Sequence, residues 1–380
     1  MVLTRTREKY LSSPQLNNNW GRFDGVVVIG GTNIDLRGRP SGELKRYTSN
    51  PGKINVSSGG VGRNIAHNLA LLNVPVTLLS AVGDDGEGIR ILEETEKAGV
   101  KMDQMIISGK YPTGIYLAIL DEKGEMELAV SDMQILEEIT VEYLRSKAYL
   151  IKESKIVVMD TNIPEESIEY MVDLCNKVKV PLLIEPVSVE KVKKLRNILF
   201  EESGSRSGSG SESGRESERS WNIDYMTPSS NELESISGIG IDDDKDMLEA
   251  IEELRNKGVK NVIVTLGERG IYVSSSGSGG GSGYGEGRKE DWNKFMVPYR
   301  GEIVDVTGAG DALVAGLIYG IYKGYPLEMA AKFGLGAAAL TISSREAVRR
   351  DLREGLLRSR IEEEKEGEEE EEGEEEGRLV

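Results

Sequence analysis

Short runs of β-branched and apolar residues recur along the chain, each closed by a polar or glycine-rich break. Val26–Ile29, Val76–Val82, Ile156–Met159, Pro181–Ile184, Ile223–Met226 and Val262–Leu266 are such runs. Largely apolar runs of this length fit strands buried on both faces. Between the later ones lie stretches with apolar residues at helical spacing: Val141–Ile151, Pro164–Lys177, Val189–Leu199 and Lys245–Lys257. This alternation predicts an α/β fold, a mostly parallel sheet covered by helices on both faces. Two more apolar helices, Ala309–Lys323 and Leu327–Ile342, are expected to close the domain. A different pattern appears at Ile115–Leu120 and Glu125–Val130, which flank Asp121-Glu122-Lys123-Gly124. That is a hairpin signal, and the hairpin is expected to belong to a small sheet covering the main body.

Composition adds boundaries. Residues 1–23 are polar and expected to be a flexible extension. The Ser/Gly-rich segments 201–220 and 274–290 hold too little apolar content to fold and read as flexible inserts. Residues 346–380 read as a charged acidic tail, densest in glutamate over Glu362–Glu376. The chain of 380 residues carries a formal net charge of −18, much of it in that tail. Such a balance argues against nucleic acid as a partner. One cysteine, Cys175, and one histidine, His67, exclude an internal disulfide and a multi-histidine metal site. His67 is expected on a helix surface beside the apolar stripe Ile65, Leu69 and Leu72. No run approaches the roughly 18 apolar residues of a membrane span. The N-terminal segment also lacks an apolar leader pattern, so a cytoplasmic protein with no membrane partner is expected.

The chemistry concentrates in Asp305-Val306-Thr307-Gly308-Ala309-Gly310-Asp311, which runs straight into the apolar stretch from Ala312. Little side-chain bulk at a helix start leaves outward-pointing amides in a positive field, a seat for phosphate. A carboxylate beside an anion seat repels the anion. It makes sense where a hydroxyl must lose its proton as a phosphoryl group arrives. Locally, the same residues also suit an ordinary helix start with a dipole-matching Asp. Asn33 and Asp35 follow the first strand, where the pair can chelate adjacent sugar hydroxyls or form an Asx-turn. Ser58-Gly59-Gly60-Val61-Gly62-Arg63-Asn64 precedes a helical run and allows close backbone approach. It is neither a Walker A nor a Rossmann fingerprint. Thr265-Leu266-Gly267-Glu268-Arg269-Gly270 ends a strand and suits either nucleotide approach or a plain turn.

Together, Gly59–Ala66 and Asp305–Asp311, with Thr265–Gly270 between them, resemble the ribokinase-like (PfkB) carbohydrate and nucleoside kinases over residues 24–345. Within that family, Thr48–Ile54, Ser58–Ala66, Asn68–Leu72, Leu79–Gly83 and Asp132-Met133 are similar to the pseudouridine kinase subgroup. The resemblance implies a ribokinase-like mostly parallel sheet with a β-sheet lid, its strands around 36–57 and 113–131. It implies ATP-dependent phosphorylation of a nucleoside 5′-hydroxyl, with Asp311 as base and Gly308, Ala309 and Gly310 as anion hole. It implies Asn33, Asp35, Gly59, Gly60 and Asn64 at the ribose, and Thr113 and Asp132 on the lid near the base. Thr265, Gly267, Gly270 and Thr307 would serve ATP. Glu232 would hold Mg2+ indirectly, and Asp305 with the Val306 carbonyl would bind a monovalent cation such as K+. A homodimer through the lid is also implied. The family's Pro-Asn-x-x-Glu is altered here. Thr227-Pro228-Ser229-Ser230-Asn231-Glu232-Leu233-Glu234 puts Ser229 where the Asn is expected, with Glu232 in register and a second Asn-x-x-Glu at Asn231 and Glu234. Other family kinases, for ribose, inosine, adenosine or guanosine, and a non-catalytic nucleoside-binding protein are the alternatives.

Overall fold

The computed structural model describes residues 23–200, 221–275, 292–299 and 301–364. The expected N-terminal extension up to residue 22, the insert 201–220, most of the second insert and the chain beyond Glu364 lie outside the described residues.

The apolar runs do form the strands of one sheet. In order across it lie Trp292–Met296, Ile271–Ser275, Val259–Thr265, Ile223–Met226, Leu182–Glu185, Ile156–Asp160, Val26–Ile29 and Val76–Leu79. The last six of these pair in parallel; the first two are antiparallel. Alternation within a strand sends side chains to opposite faces. Val26 and Val28 therefore join the core beneath helices Ala309–Tyr322 and Leu327–Ile342. Val27 and Ile29 face the opposite core with Ile168 and Met171 of helix Glu165–Val178. Parallel strands deliver their carboxyl ends to one rim, where ligands of such sheets bind.

Several expectations change. Val76–Val82 is two strands: Val76–Leu79 stays in the large sheet, while Ala81–Gly83 pairs with Ile106–Ser108. The chain leaves the sheet at Ser80, whose hydroxyl donates to the Gly30 carbonyl at 2.5 Å. Val141–Ile151 is broken at Lys147 into helices Val141–Ser146 and Ala148–Glu153. Ser274 and Ser275 are the end of a strand, not of an insert. Phe23 is buried, not part of a loose extension. Residues 346–364 are not tail either. Val348, Leu352, Leu357 and Ile361 are buried, the last three against the core under helix 354–364.

A second sheet of four strands, Gly52–Gly59, Asn33–Pro40, Ile115–Leu120 and Met126–Asp132, stands apart from the first. Its register places Asp35 opposite Ser57 and Tyr116, and Leu36 opposite Val56 and Leu117. One face is thus polar and includes Asp35 and Arg37. The other carries Val56, Leu117, Leu128 and Val130. Ile54, Leu128 and Val130 are 72%, 55% and 57% exposed, far above what an apolar core face shows.

Candidate active site

Helix Ala309–Tyr322 begins after Gly308, whose φ of 78° is left-handed and whose missing Cβ would meet the Ala347 carbonyl at 2.1 Å. Only glycine fits there without strain. No side chain caps this helix, and its bonding starts with Ala312 N–H donating to Gly308 O at 2.9 Å. The amides of Gly310 and Asp311 therefore have no intrahelical acceptor. Ala309 is the exception among the expected anion-hole residues: its amide donates to the Val306 carbonyl at 3.2 Å.

Asp311 opens this helix opposite the second glycine-rich segment. There, helix Val61–Leu71 starts at Gly60, with φ 97° and no room for a Cβ against the Gly31 carbonyl. That start presents Asn64, whose Nδ2 donates to Asp311 Oδ2 at 2.8 Å. Burial pushes the Asp311 carboxyl up to about 7; the Asn64 bond opposes the shift, and Asp160 and Asp35 add to it. A general base works best with a pKa near the working pH.

Asn33 and Asp35 lie in a strand, not in an Asx-turn. Asn33 Nδ2 donates to Asp35 Oδ1 at 2.6 Å. Burial raises the Asp35 carboxyl while Asn33 and the nearby Arg37 and Arg63 pull it down. Gly59 leaves the space that the Asp35 carboxylate fills, since a Cβ there would sit 2.3 Å from it. Asn33, Asp35, Gly59, Gly60, Asn64 and Asp311 are therefore gathered at one rim.

Other expected residues behave differently. Thr113 is buried, accepts from Gly83 N–H at 3.0 Å and donates to Asp85 Oδ1 at 2.6 Å. Its hydroxyl is committed to the start of helix Gly86–Lys97, not to a ligand. Asp132 is exposed at the end of a lid strand, opposite Ile115. Thr265 ends its strand, donating its amide to Pro228 O at 2.8 Å. Gly267 faces open space, whereas Gly270 is needed for packing: a Cβ would meet Met296 O at 2.1 Å. His67 is half-buried, with Nδ1 3.2 Å from Arg63 Nη2. Its ring is driven down to about 3 by burial first and then by the Arg63 charge.

The altered Pro-Ser-Ser-Asn-Glu segment resolves by capping. Ser229 is the N-cap of helix Ser230–Ser237 and Glu232 closes a capping box, accepting from Ser229 N–H at 2.8 Å. Glu232 is buried, whereas Glu234 accepts from Ile241 N–H on the exposed side. One Glu232 oxygen remains for a metal-bound water, so this chain fits the indirect Mg2+ role.

The monovalent-cation site does not fit. Asp305 Oδ1 accepts from Thr307 N–H at 2.9 Å and Oδ2 holds Arg37 Nη1 at 3.1 Å. Hydrogen bonds from Thr307 and the Arg37 charge keep its carboxyl below the usual range despite partial burial. The Val306 carbonyl is already bonded to Ala309.

Sequence reading missed three groups at the same rim: Asp160, which is buried, and the half-buried Glu185 and Lys191. Asp160 Oδ2 accepts from Gly31 N–H at 2.7 Å and from Gly62 N–H at 2.9 Å, tying the two glycine-rich loops together. Glu185 accepts from the Thr227 hydroxyl, and burial pushes it well above the carboxylate range, with Glu232 and Asp311 adding to the shift. Lys191 donates to Asn162. The available signal was position: Asp160, Asn162 and Glu185 sit at or just past strand ends.

A carboxylate and an uncapped glycine turn at the carboxyl rim of an open sheet fit a phosphotransferase that acts on a hydroxyl. The model of the pfkB family carbohydrate kinases matches residues 24–200 and 216–352, so the chain belongs to that family. It is 34% identical to the pseudouridine kinase of Escherichia coli, over 84% of this chain and 91% of that protein. It is 27% identical to a guanosine-inosine kinase of Exiguobacterium acetylicum, over 84% and 95%. The solved Arabidopsis thaliana ribokinase complexed with ribose and ATP superposes with a TM-score of 0.72, over 89% of this chain and 98% of that one, at 19% identity. Among the described residues no helix is long and apolar enough to cross a membrane.

Proposed function

We propose that this chain transfers the γ-phosphoryl group of ATP to the 5′-hydroxyl of a nucleoside, and that the nucleoside is pseudouridine. The observation that carries the reading is the Asp311–Asn64 pair beside the uncapped turn. In this reading Asp35 and Asn33 hold the ribose hydroxyls, an acid accepting and an amide donating. Asp311 takes the 5′-hydroxyl proton. The Gly310 and Asp311 amides receive the developing charge, fixed in place before the reaction. Phosphoryl transfer leaves a protein mainly positioning and electrostatic work. Glu232 would hold Mg2+ through water, and the metal would neutralise phosphate charge there. Thr265, Gly267 and Thr307 would line the ATP side, with Gly267 open to a close ligand.

The choice of pseudouridine rests on the 34% identity to the Escherichia coli enzyme over most of both chains. The open apolar lid face supports a homodimer through the lid. A buried, unpaired cysteine suits a reducing, cytoplasmic setting.

The test is ADP release with ATP and Mg2+ across pseudouridine, uridine, inosine, adenosine, cytidine and ribose. Pseudouridine and uridine differ only in how the base joins the sugar, so strong turnover of the first alone fixes the substrate. Preference for inosine, adenosine or ribose keeps the chemistry and overturns the substrate. No ADP above the ATP-only rate with any of them removes the kinase reading.

A further inference from the structure

Asp305 presents a problem of charge. It precedes a turn that must receive an anionic phosphoryl group, and an unbalanced carboxylate there weakens the turn. A monovalent metal ion would be one remedy, but both expected ligands are engaged by the protein itself. The group on Asp305 Oδ2 is Arg37 Nη1, at 3.1 Å. The two side chains are only 22% and 30% exposed, so solvent and salt screen the pair less than a surface ion pair. A planar guanidinium also suits a carboxylate geometrically.

Arg37 does not belong to the turn's own body. It lies in lid strand Asn33–Pro40, two residues past Asp35 and so on the same face of that strand. The Asp305 backbone is anchored elsewhere: Val304 and Asp305 N–H both donate to Ile342 O, at 2.8 and 3.1 Å. The ion pair thus spans 268 residues and joins the lid to the turn.

We propose that the Arg37 guanidinium is the built-in counter-cation of the phosphate-binding turn, standing where a monovalent metal ion would otherwise neutralise Asp305. The turn's charge is then balanced only while the lid is down. The proposal rests on the anion-turn reading of Gly308–Asp311, and its test has an arm independent of turnover.

Wild type, Arg37→Gln and Arg37→Lys are compared at equal ionic strength in KCl, tetramethylammonium chloride and guanidinium chloride at tens of millimolar. Thermal unfolding and nucleoside-dependent ADP release are both read. Wild type is expected to show the same Tm and turnover in potassium and tetramethylammonium. Arg37→Gln should lose turnover about tenfold or more in tetramethylammonium, and potassium or guanidinium should restore part of it. The restoring ion should also raise its Tm by about 2 °C, as any ligand of the native state does. Arg37→Lys should stay indifferent to potassium. Potassium dependence of the wild type overturns the proposal. So does full turnover of Arg37→Gln in tetramethylammonium, or a loss that neither cation relieves. If no substrate yields ADP, the kinase reading fails while the unfolding arm still decides the role of Arg37.

Discussion

Replacing Asp311 by Asn should stabilise the protein at neutral pH while removing its activity. The carboxyl has an ordinary value of 3.8 and is held at about 7 in the fold, chiefly by burial. A raised carboxyl means the folded state binds the proton more tightly than the unfolded chain. Below 3.8 both states are protonated and the group contributes nothing to pH dependence. Between 3.8 and 7 the unfolded chain alone releases the proton, so folding loses stability as pH rises. The accumulated cost is on the order of 4 kcal/mol by pH 8, and about 1.6 kcal/mol at pH 5. The substituted amide cannot ionise, yet its oxygen can still accept from Asn64. The gap in unfolding free energy between variant and wild type should therefore widen by roughly 3 kcal/mol from pH 5 to pH 8. Urea unfolding of both proteins at the two pH values measures it. A gap that does not change with pH, or a variant less stable than wild type at pH 8, refutes the reading of Asp311 as a carboxyl raised by its surroundings.

Three further outcomes are expected. Asn64→Leu removes the hydrogen bond that lowers the Asp311 pKa, so the acid limb of the kcat/KM profile should move up by about one to two pH units; an unmoved limb detaches Asn64 from the base. Gly308→Ala places a Cβ at φ 78° and against the Ala347 carbonyl, which should cost about 2 kcal/mol or more in urea unfolding and abolish turnover; unchanged stability would remove the steric argument. Leu128→Asp on the open lid face should convert a dimer to a monomer by light scattering with the fold intact by circular dichroism; a mass identical to wild type would show that this face joins no second copy.

How far the sequence could be read depended on whether a signal was local. The strands at Val26, Ile156 and Leu182 announce themselves because burial on both faces demands unbroken apolar residues. The turn at Gly308 does so because its left-handed backbone and the nearby Ala347 carbonyl demand glycine. The split at Ser80 was hidden, since an apolar run looks alike whether it stays in one sheet or crosses to another. The edge pair Ile271–Ser275 and Trp292–Met296 was hidden by the low-complexity stretch between its strands. Val348, Leu352, Leu357 and Ile361 were masked by the charged residues around them, which lie on the solvent side of the same segment. Asp160 and Glu185 could be placed near the rim from strand ends. That one Asp160 oxygen joins Gly31 to Gly62 depends on three distant segments meeting, and no local pattern encodes that.

The four-stranded lid pairs its strands only with one another, and the Arg37–Asp305 contact ties it to the turn of the large body. It is supplied by two compact stretches of sequence, 33–59 and 115–132. In the proposed function, substrate choice and phosphoryl chemistry are thus separable inheritance: on that reading the lid can be exchanged between relatives as a cassette while Asp311 and its turn stay behind. The exchange is not free of a matching rule, because any transplanted lid that lacks a cation at the position of Arg37 leaves Asp305 to find another.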